Sequence, residues 1–307
     1  SLELGRLAHE LVVLVCGAET HDALDPETLA YTVTIDATLQ RTVGTELTGT
    51  LVPREQSCTY DGDESGAVFT LASGGVLLGG VTAADGTGFA PLLAFGETFN
   101  NEETPTVFNP IAFNGNVLGV QYDGNTAEPW RGAGIVRNAG TVQNCLAFAA
   151  YSASCTPRER GYITYVAARD AFDYFATDPD LPTPTTGGDL AGSVVIGQIN
   201  GSTLVLQLVR TPLNHGLRML VPAVGTVEGS FSTLDTSGNI SRVTTVGEEL
   251  IRGEATGTLA FDNPAPGFTA VSGDIAGHFV THAGVYAFVT AGAGAALELG
   301  VVNADEE

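Results

Sequence analysis

Lysine is absent from this chain of 307 residues, and all 12 basic residues are arginine. Without lysine no phosphate-cradling GxxxxGK loop can exist. Charge is scarce altogether: 15% of residues are Asp, Glu, Lys or Arg, against about 25% in an average domain. What charge there is runs one way, with 35 acidic residues and a net charge of -23. Nucleic acids and anionic membrane surfaces both call for a basic footprint, so the balance argues against either partner. Mutual repulsion favours solubility. The functional reading of the acidity is adaptation to salt or the holding of divalent cations. The plainer reading is a genome that writes Arg for Lys, with acidic drift.

Long apolar runs are missing too. The strongest early run, Leu11 to Val15, has five residues, where a spanning helix needs roughly 20. It is also short for a signal-peptide core, and Arg6 is its single basic flank. Membrane insertion is therefore not expected.

Cysteine is sparse: Cys16, Cys58, Cys145 and Cys155. None forms a CxxC, so the spacing of a zinc site is not met. The count is even, and Cys145 and Cys155 flank a short segment that a disulfide could close. Cys16 and Cys58 are then the remaining pair, and the protein belongs in an oxidising compartment, secreted or at the cell surface. The competing reading is four buried thiols in a cytosolic protein.

Catalytic signatures are equally thin. There is no GxSxG, and Gly132-Ala133-Gly134 lacks the spacing and helix of a dinucleotide site. His278 and His282 are four apart, but their neighbours read as strand. Strand residues four apart are roughly 13 Å from each other, too far to chelate one ion. The segment Asp61-Gly62-Asp63-Glu64-Ser65 is an acidic loop whose oxygens at Asp61, Asp63 and Glu64 suit calcium. It lacks the EF-hand pattern, and a solvated turn is its plainer reading. Asp178 and Asp180 carry the same weak signal. Apart from calcium no cofactor is expected.

Trp130 is the single tryptophan. Pro129 and Gly132 place it on a loop, where it could stack on a sugar with Tyr122 beside it; capping a core edge is the plainer role. Asn200-Gly201-Ser202 and Asn239-Ile240-Ser241 match the glycosylation sequon, a common match in so Asn- and Ser-rich a chain.

What the chain does have is alternation. Tyr31, Val33, Ile35, Ala37 and Leu39 face one side, and Thr32, Thr34, Asp36 and Thr38 the other, the period of a half-buried strand. Similar runs recur at 46–52, 67–71, 75–82, 89–95, 116–122, 141–148, 162–167 and 193–210, and on to 278–290. Asn200-Gly201 between two β-branched runs is a strong hairpin signal. Helical spacing is rare, with Leu2 to Glu10 the best short helix and Thr164 to Phe175 a second segment where helix competes. The fold class is therefore all-β, as antiparallel sandwich or barrel units.

Thr177 to Gly188 holds three prolines and two glycines. A structureless stretch this long is uncommon inside a compact domain. It reads as a linker between an N-terminal lobe, 1–176, and a C-terminal lobe, 189–307. Two short resemblances hint at internal duplication: Leu47 to Leu51 with Ala255 to Leu259, and Val76 to Val81 with Val194 to Ile199.

Together these features favour a secreted or surface-displayed, non-enzymatic structural or binding protein. Homo-oligomerisation is expected; Leu11 to Val15 and Ala291 to Val302 could pair with neighbouring copies by strand addition, and the plainer reading is that both complete the protein's own sheet. A carbohydrate-binding module or glycan-active enzyme, and a viral capsid or tail protein, are the alternatives.

Overall fold

The computed structural model describes residues 4–7, 30–37, 46–53, 59–62, 68–72, 76–82, 89–95, 97–98, 113–123, 126–136, 140–146, 155–156, 158–166, 171–178, 180, 187–199, 202–210, 214–222, 228–235, 240–264, 267–291 and 296–302. The described residues are strands and their turns. The first run comprises β1 (Leu4–Leu7), β2 (Ala30–Ala37), β3 (Glu46–Pro53), β4 (Thr59–Gly62), β5 (Val68–Ala72), β6 (Val76–Thr82) and β7 (Phe89–Phe95). These pair in chain order as one seven-stranded antiparallel sheet. The helix expected over 2–10 is a strand at its centre. Gly5 weakens helix formation, and Arg6 and Leu7 find ladder partners in Thr34 and Val33.

The second run follows the two-residue β8 (Glu97–Thr98). It comprises β9 (Phe113–Asp123), β10 (Thr126–Val136), β11 (Thr141–Leu146), β12 (Arg158–Val166), β13 (Ala171–Thr177), β14 (Asp189–Ile199), β15 (Ser202–Arg210) and β16 (Asn214–Pro222). Each strand pairs with the next, and β16 returns to pair with β9. The eight strands therefore form a closed ring, with β8 appended to β14. The hairpin expected at Asn200-Gly201 is present, with Ile199 opposite Ser202. The segment in which a short helix competed divides between β12 and β13, which pair from Arg160 to Thr177.

The Pro/Gly-rich stretch over 177–188 joins β13 to β14. Those two strands pair with each other, Phe172 opposite Val194 and Ala176 opposite Asp189. It is a connection within one ring, because closing that ring requires its fifth and sixth strands to be neighbours.

The third run is β17 (Gly229–Asp235), β18 (Ile240–Val246), β19 (Glu249–Arg252), β20 (Ala255–Phe261), β21 (Thr269–Gly273), β22 (Gly277–His282), β23 (Val285–Thr290) and β24 (Leu297–Val302). It is a closed barrel, with β24 returning to β17. The stretch read as one strand over 278–290 is a hairpin. Ala283 and Gly284, at φ 51° and 77°, form its turn. Alanine rarely adopts that conformation, so the turn carries no signal in sequence.

The C-terminal strand completes the protein's own sheet, the plainer of its two readings. β24 already has β17 on one edge and β23 on the other. Leu11 to Val15 lies outside the described residues.

Two kinds of core follow from the alternation. Val285, Ala287 and Val289 of β23 point outward, with Leu297, Leu299 and Val301 of β24. They pack on Leu204 and Leu206 of β15, Met219 of β16, and Val76 and Leu78 of β6. This seam joins the outer walls of the two barrels. Tyr286 and Phe288, the residues in between, point into the lumen with Phe231, Phe279, Leu250 and Leu259. Each fully buried side chain of this size contributes roughly 1.5–3 kcal/mol. Strands buried on both faces read as unbroken apolar runs, and Val285 to Val289 does. The middle barrel fills its own lumen with Val142, Ile163, Phe172, Val194, Ile196 and Leu220.

Candidate functional site

Both lumens carry a charged layer within this apolar packing. In the middle barrel Arg218 of β16 is 1% exposed. Its Nη1 donates to Glu159 Oε2 at 2.6 Å and its Nη2 to Oε1 at 3.2 Å. Glu159 belongs to β12, four strands away around the ring, so the pair crosses the lumen. Register supplies the neighbours: Gln207 stands opposite Arg218, and Asn144 opposite Glu159. Tyr174 of β13 completes the layer. Burial pushes its hydroxyl well above the ordinary range, and Glu159 adds to this while Arg218 and Gln207 oppose it. The phenol stays neutral. Its ring lies over Gly161, where a Cβ would stand 2.5 Å from Tyr174 Cε2. The Asn144 carboxamide is fully buried with neither polar atom hydrogen-bonded.

The C-terminal barrel repeats this chemistry with different strands. Arg252 of β19 donates through Nη2 to Glu298 Oε2 of β24. The guanidinium lies 5.6 Å from the centre of the Phe288 ring, within the range of a cation–π contact. Burial raises the Glu298 carboxyl above its ordinary value. Arg252 and a Thr233 hydrogen bond work against the rise, and Asp235 adds to it. Asp235 stands directly opposite Glu298 in the ladder. The Tyr286 hydroxyl is raised well above its ordinary value, by burial first and Glu298 second.

Each layer thus holds one guanidinium, one carboxylate and one neutral tyrosine. A charge-balanced layer ties opposite walls together. The pairing offsets only part of the desolvation, since Arg252 Nε, Glu298 Oε1 and the Gln207 carboxamide are buried without a hydrogen-bond partner. The order of partners around the two rings differs, so neither layer is a copy of the other.

None of these residues was singled out by sequence motifs. The available signal was an ion interrupting an apolar strand, as in Leu217-Arg218-Met219-Leu220 and Leu297-Glu298-Leu299. In a chain so poor in charge, such an interruption is informative.

The residues that motifs did single out lie elsewhere. Trp130 is in β10 rather than on a loop, opposite Gly119 of β9. Among the described residues β11 pairs with β10 only from Gly132 onward, so no described residue of β11 pairs with Pro129. Tyr122 is in β9, opposite His215 of β16. Asp61 is in β4, opposite Val68 of β5, rather than in the loop expected. Asp63 and Glu64 lie outside the described residues, as do Cys16 and Cys58. Among the described residues no three His, Cys, Asp or Glu side chains are placed to hold a metal ion. Asp178 accepts from the Asp180 backbone N–H at 2.9 Å, and Asp180 pairs with Arg158 at 3.3 Å.

Cys145 and Cys155 form the expected disulfide, with Cα atoms 5.7 Å apart. Both are buried. The bond ties β11 to the segment entering β12. Gln143 Nε2 reaches Cys155 Sγ at 3.5 Å, while Arg160 Nε donates to Gln143 Oε1 at 3.0 Å.

No known protein family matches the chain, and no curated protein or solved structure shows significant similarity to it.

Proposed function

We propose that this chain is a secreted or surface-displayed structural and binding protein, built as a rigid β-segment of an extracellular assembly. The observation that carries the reading is the way the barrels use their lumens. Phe231, Phe279, Tyr286 and Phe288 pack the C-terminal lumen, and an ion pair crosses each ring. An eight-stranded ring has an interior just wide enough for side chains to fill or for one small ligand to enter. Filling it gives a stiff element that works through its outer surface. Closure also removes free strand edges, which otherwise recruit further strands without control. The buried Cys145–Cys155 bond fits an oxidising compartment.

Fractionation of the source cells tests the location, with thiols alkylated at lysis and Cys145 and Cys155 mapped by mass spectrometry. The reading expects the intact disulfide in an external fraction. Recovery from the cytosol with both thiols alkylated would overturn it. Electron microscopy across salt and calcium concentrations tests the assembly, and isolated monomers throughout would count against that part.

A further inference from the structure

We propose that the seam between the middle and C-terminal barrels is an acid-sensitive latch, with His282 of β22 as its trigger and the Thr203 carbonyl of β15 as its keeper. The seam is apolar where it is deepest: Leu204 and Leu206 share one buried cluster with Val280, Val285 and Ala287. His282 closes its margin at the end of β22, beside the Ala283-Gly284 turn. Its side is set by alternation. Val280 belongs to the seam and Phe279 to the lumen, so His282, two residues beyond Val280, shares the seam face. The Nε2 atom is buried with no hydrogen-bond partner. A neutral imidazole tolerates this, since a bare ring nitrogen is only an unused acceptor. A protonated imidazole carries an N–H on both nitrogens. The seam then holds a full charge, and the Thr203 carbonyl is the one group acting to favour it.

The titratable groups of the surrounding elements do not relieve that charge. On β22 itself His278 lies four residues away, roughly 13 Å along the strand. β23 carries Tyr286, whose ring is in the lumen. Glu298 and Asp235 are level with the other end of β23, because Glu298 pairs with Phe288 while His282 pairs with Val285. β16, which lies against β22, carries His215 and Arg218, the latter bound to Glu159 inside its own ring. β9 carries Asp123 at its end. No described carboxylate or cation acts on His282, and burial outweighs Thr203 to hold it below the ordinary 6.5. The folded value being the lower one, the contribution of neutral His282 is present above about pH 6.5 and is lost as pH falls through the folded value. Acid therefore opens the seam while each barrel, closed by its own ladder, persists.

Hydrogen exchange on the whole chain tests this, read on seam peptides of β15 and β22–β24 between pH 7.5 and 5.0 and corrected for intrinsic rates. The expected result is at least tenfold faster seam exchange at the acid end, with lumen amides of β19 and β20 unchanged. His282→Leu, which cannot take a proton, abolishes the acceleration, and His278→Gln leaves it intact. If His282→Leu fails to fold, NMR titration of the parent imidazole serves instead, and its midpoint must coincide with the exchange transition. Seam exchange independent of pH, equal acceleration in His282→Leu, or an imidazole midpoint away from the transition would each overturn the proposal.

Discussion

Gly300 offers the sharpest test of how the C-terminal lumen is packed. It pairs with Tyr286 across the β23–β24 ladder and with Thr233 across the β17–β24 ladder. A Cβ at this position would stand 2.8 Å from Thr233 Cγ2, 3.1 Å from Tyr286 Cδ1 and 3.2 Å from the Ser232 carbonyl oxygen. Ordinary carbon contacts settle at roughly 3.5–4.0 Å. The methyl is therefore short of room by about 0.7 Å against Thr233 and about 0.4 Å against Tyr286. Tyr286 cannot swing aside, because the Phe231 ring lies tilted against it and the Phe279 ring stacks on it, with centroids 5.4 and 5.7 Å away. Overpacking of this kind costs about 1–3 kcal/mol, so Gly300→Ala should lose that much. Thr233→Ser removes the offending Cγ2 and keeps the hydroxyl that donates to the Ser241 carbonyl. Alone it should cost about 0.8 kcal/mol for one buried methyl. In the double variant it should recover at least half of the Gly300→Ala loss. Urea unfolding, with native-state exchange of β17 and β24 amides, measures all four corners of the cycle. If Gly300→Ala matched the parent, or the two losses simply added, the packing argument would be refuted.

Three further outcomes are expected. Arg218→Met leaves Glu159 facing a lumen without its partner and should cost about 3 kcal/mol, with most of it restored by Glu159→Leu in the same chain; chemical denaturation of the pair of variants decides. Ala283→Gly relieves a left-handed alanine in the β22–β23 turn and should add about 0.5–1 kcal/mol, read as a higher urea midpoint at an unchanged slope. Glu298 has a raised folded value, so its charge opposes folding at neutral pH. Its contribution is present below the unfolded carboxyl value and is lost as pH rises through the folded one. The stability difference between parent and Glu298→Gln should therefore move in the parent's favour on acidification from neutral; a difference independent of pH would show that the carboxyl titrates normally.

Strand content was legible because its signals are local. Alternating Tyr31 to Leu39 and the Asn200-Gly201 turn require only neighbouring residues to be read. Ring closure was not legible, because it rests on the pairing of β9 with β16 and of β17 with β24, each pair far apart in the chain. The same gap explains why 177–188 reads as a divide: proline and glycine mark a break in local structure equally well for a linker and for a connection between adjacent strands. Trp130 illustrates a third limit. Pro129 argues against a strand, yet it stands in β10 opposite Val120, and among the described residues it has a ladder partner on that side alone. The ion pairs were hidden for a different reason. Arg218 and Glu159 are 59 residues apart, and nothing in either segment names the other.

Closure by first and last strands also sets a timetable for biosynthesis. While a nascent chain emerges, β17 to β23 can meander together, but their outer edges remain open until β24 clears the ribosome. Until then Glu298 is missing, and Arg252 projects into an unfinished lumen with no carboxylate to meet it. The middle ring faces the same interval, since β9 must wait for β16 and Glu159 for Arg218. In both rings the charged partner that completes the layer arrives on the closing strand, so the ion pair and the final ladder form in one event. Until then a half-made ring holds one unpaired charge among the apolar side chains of its lumen.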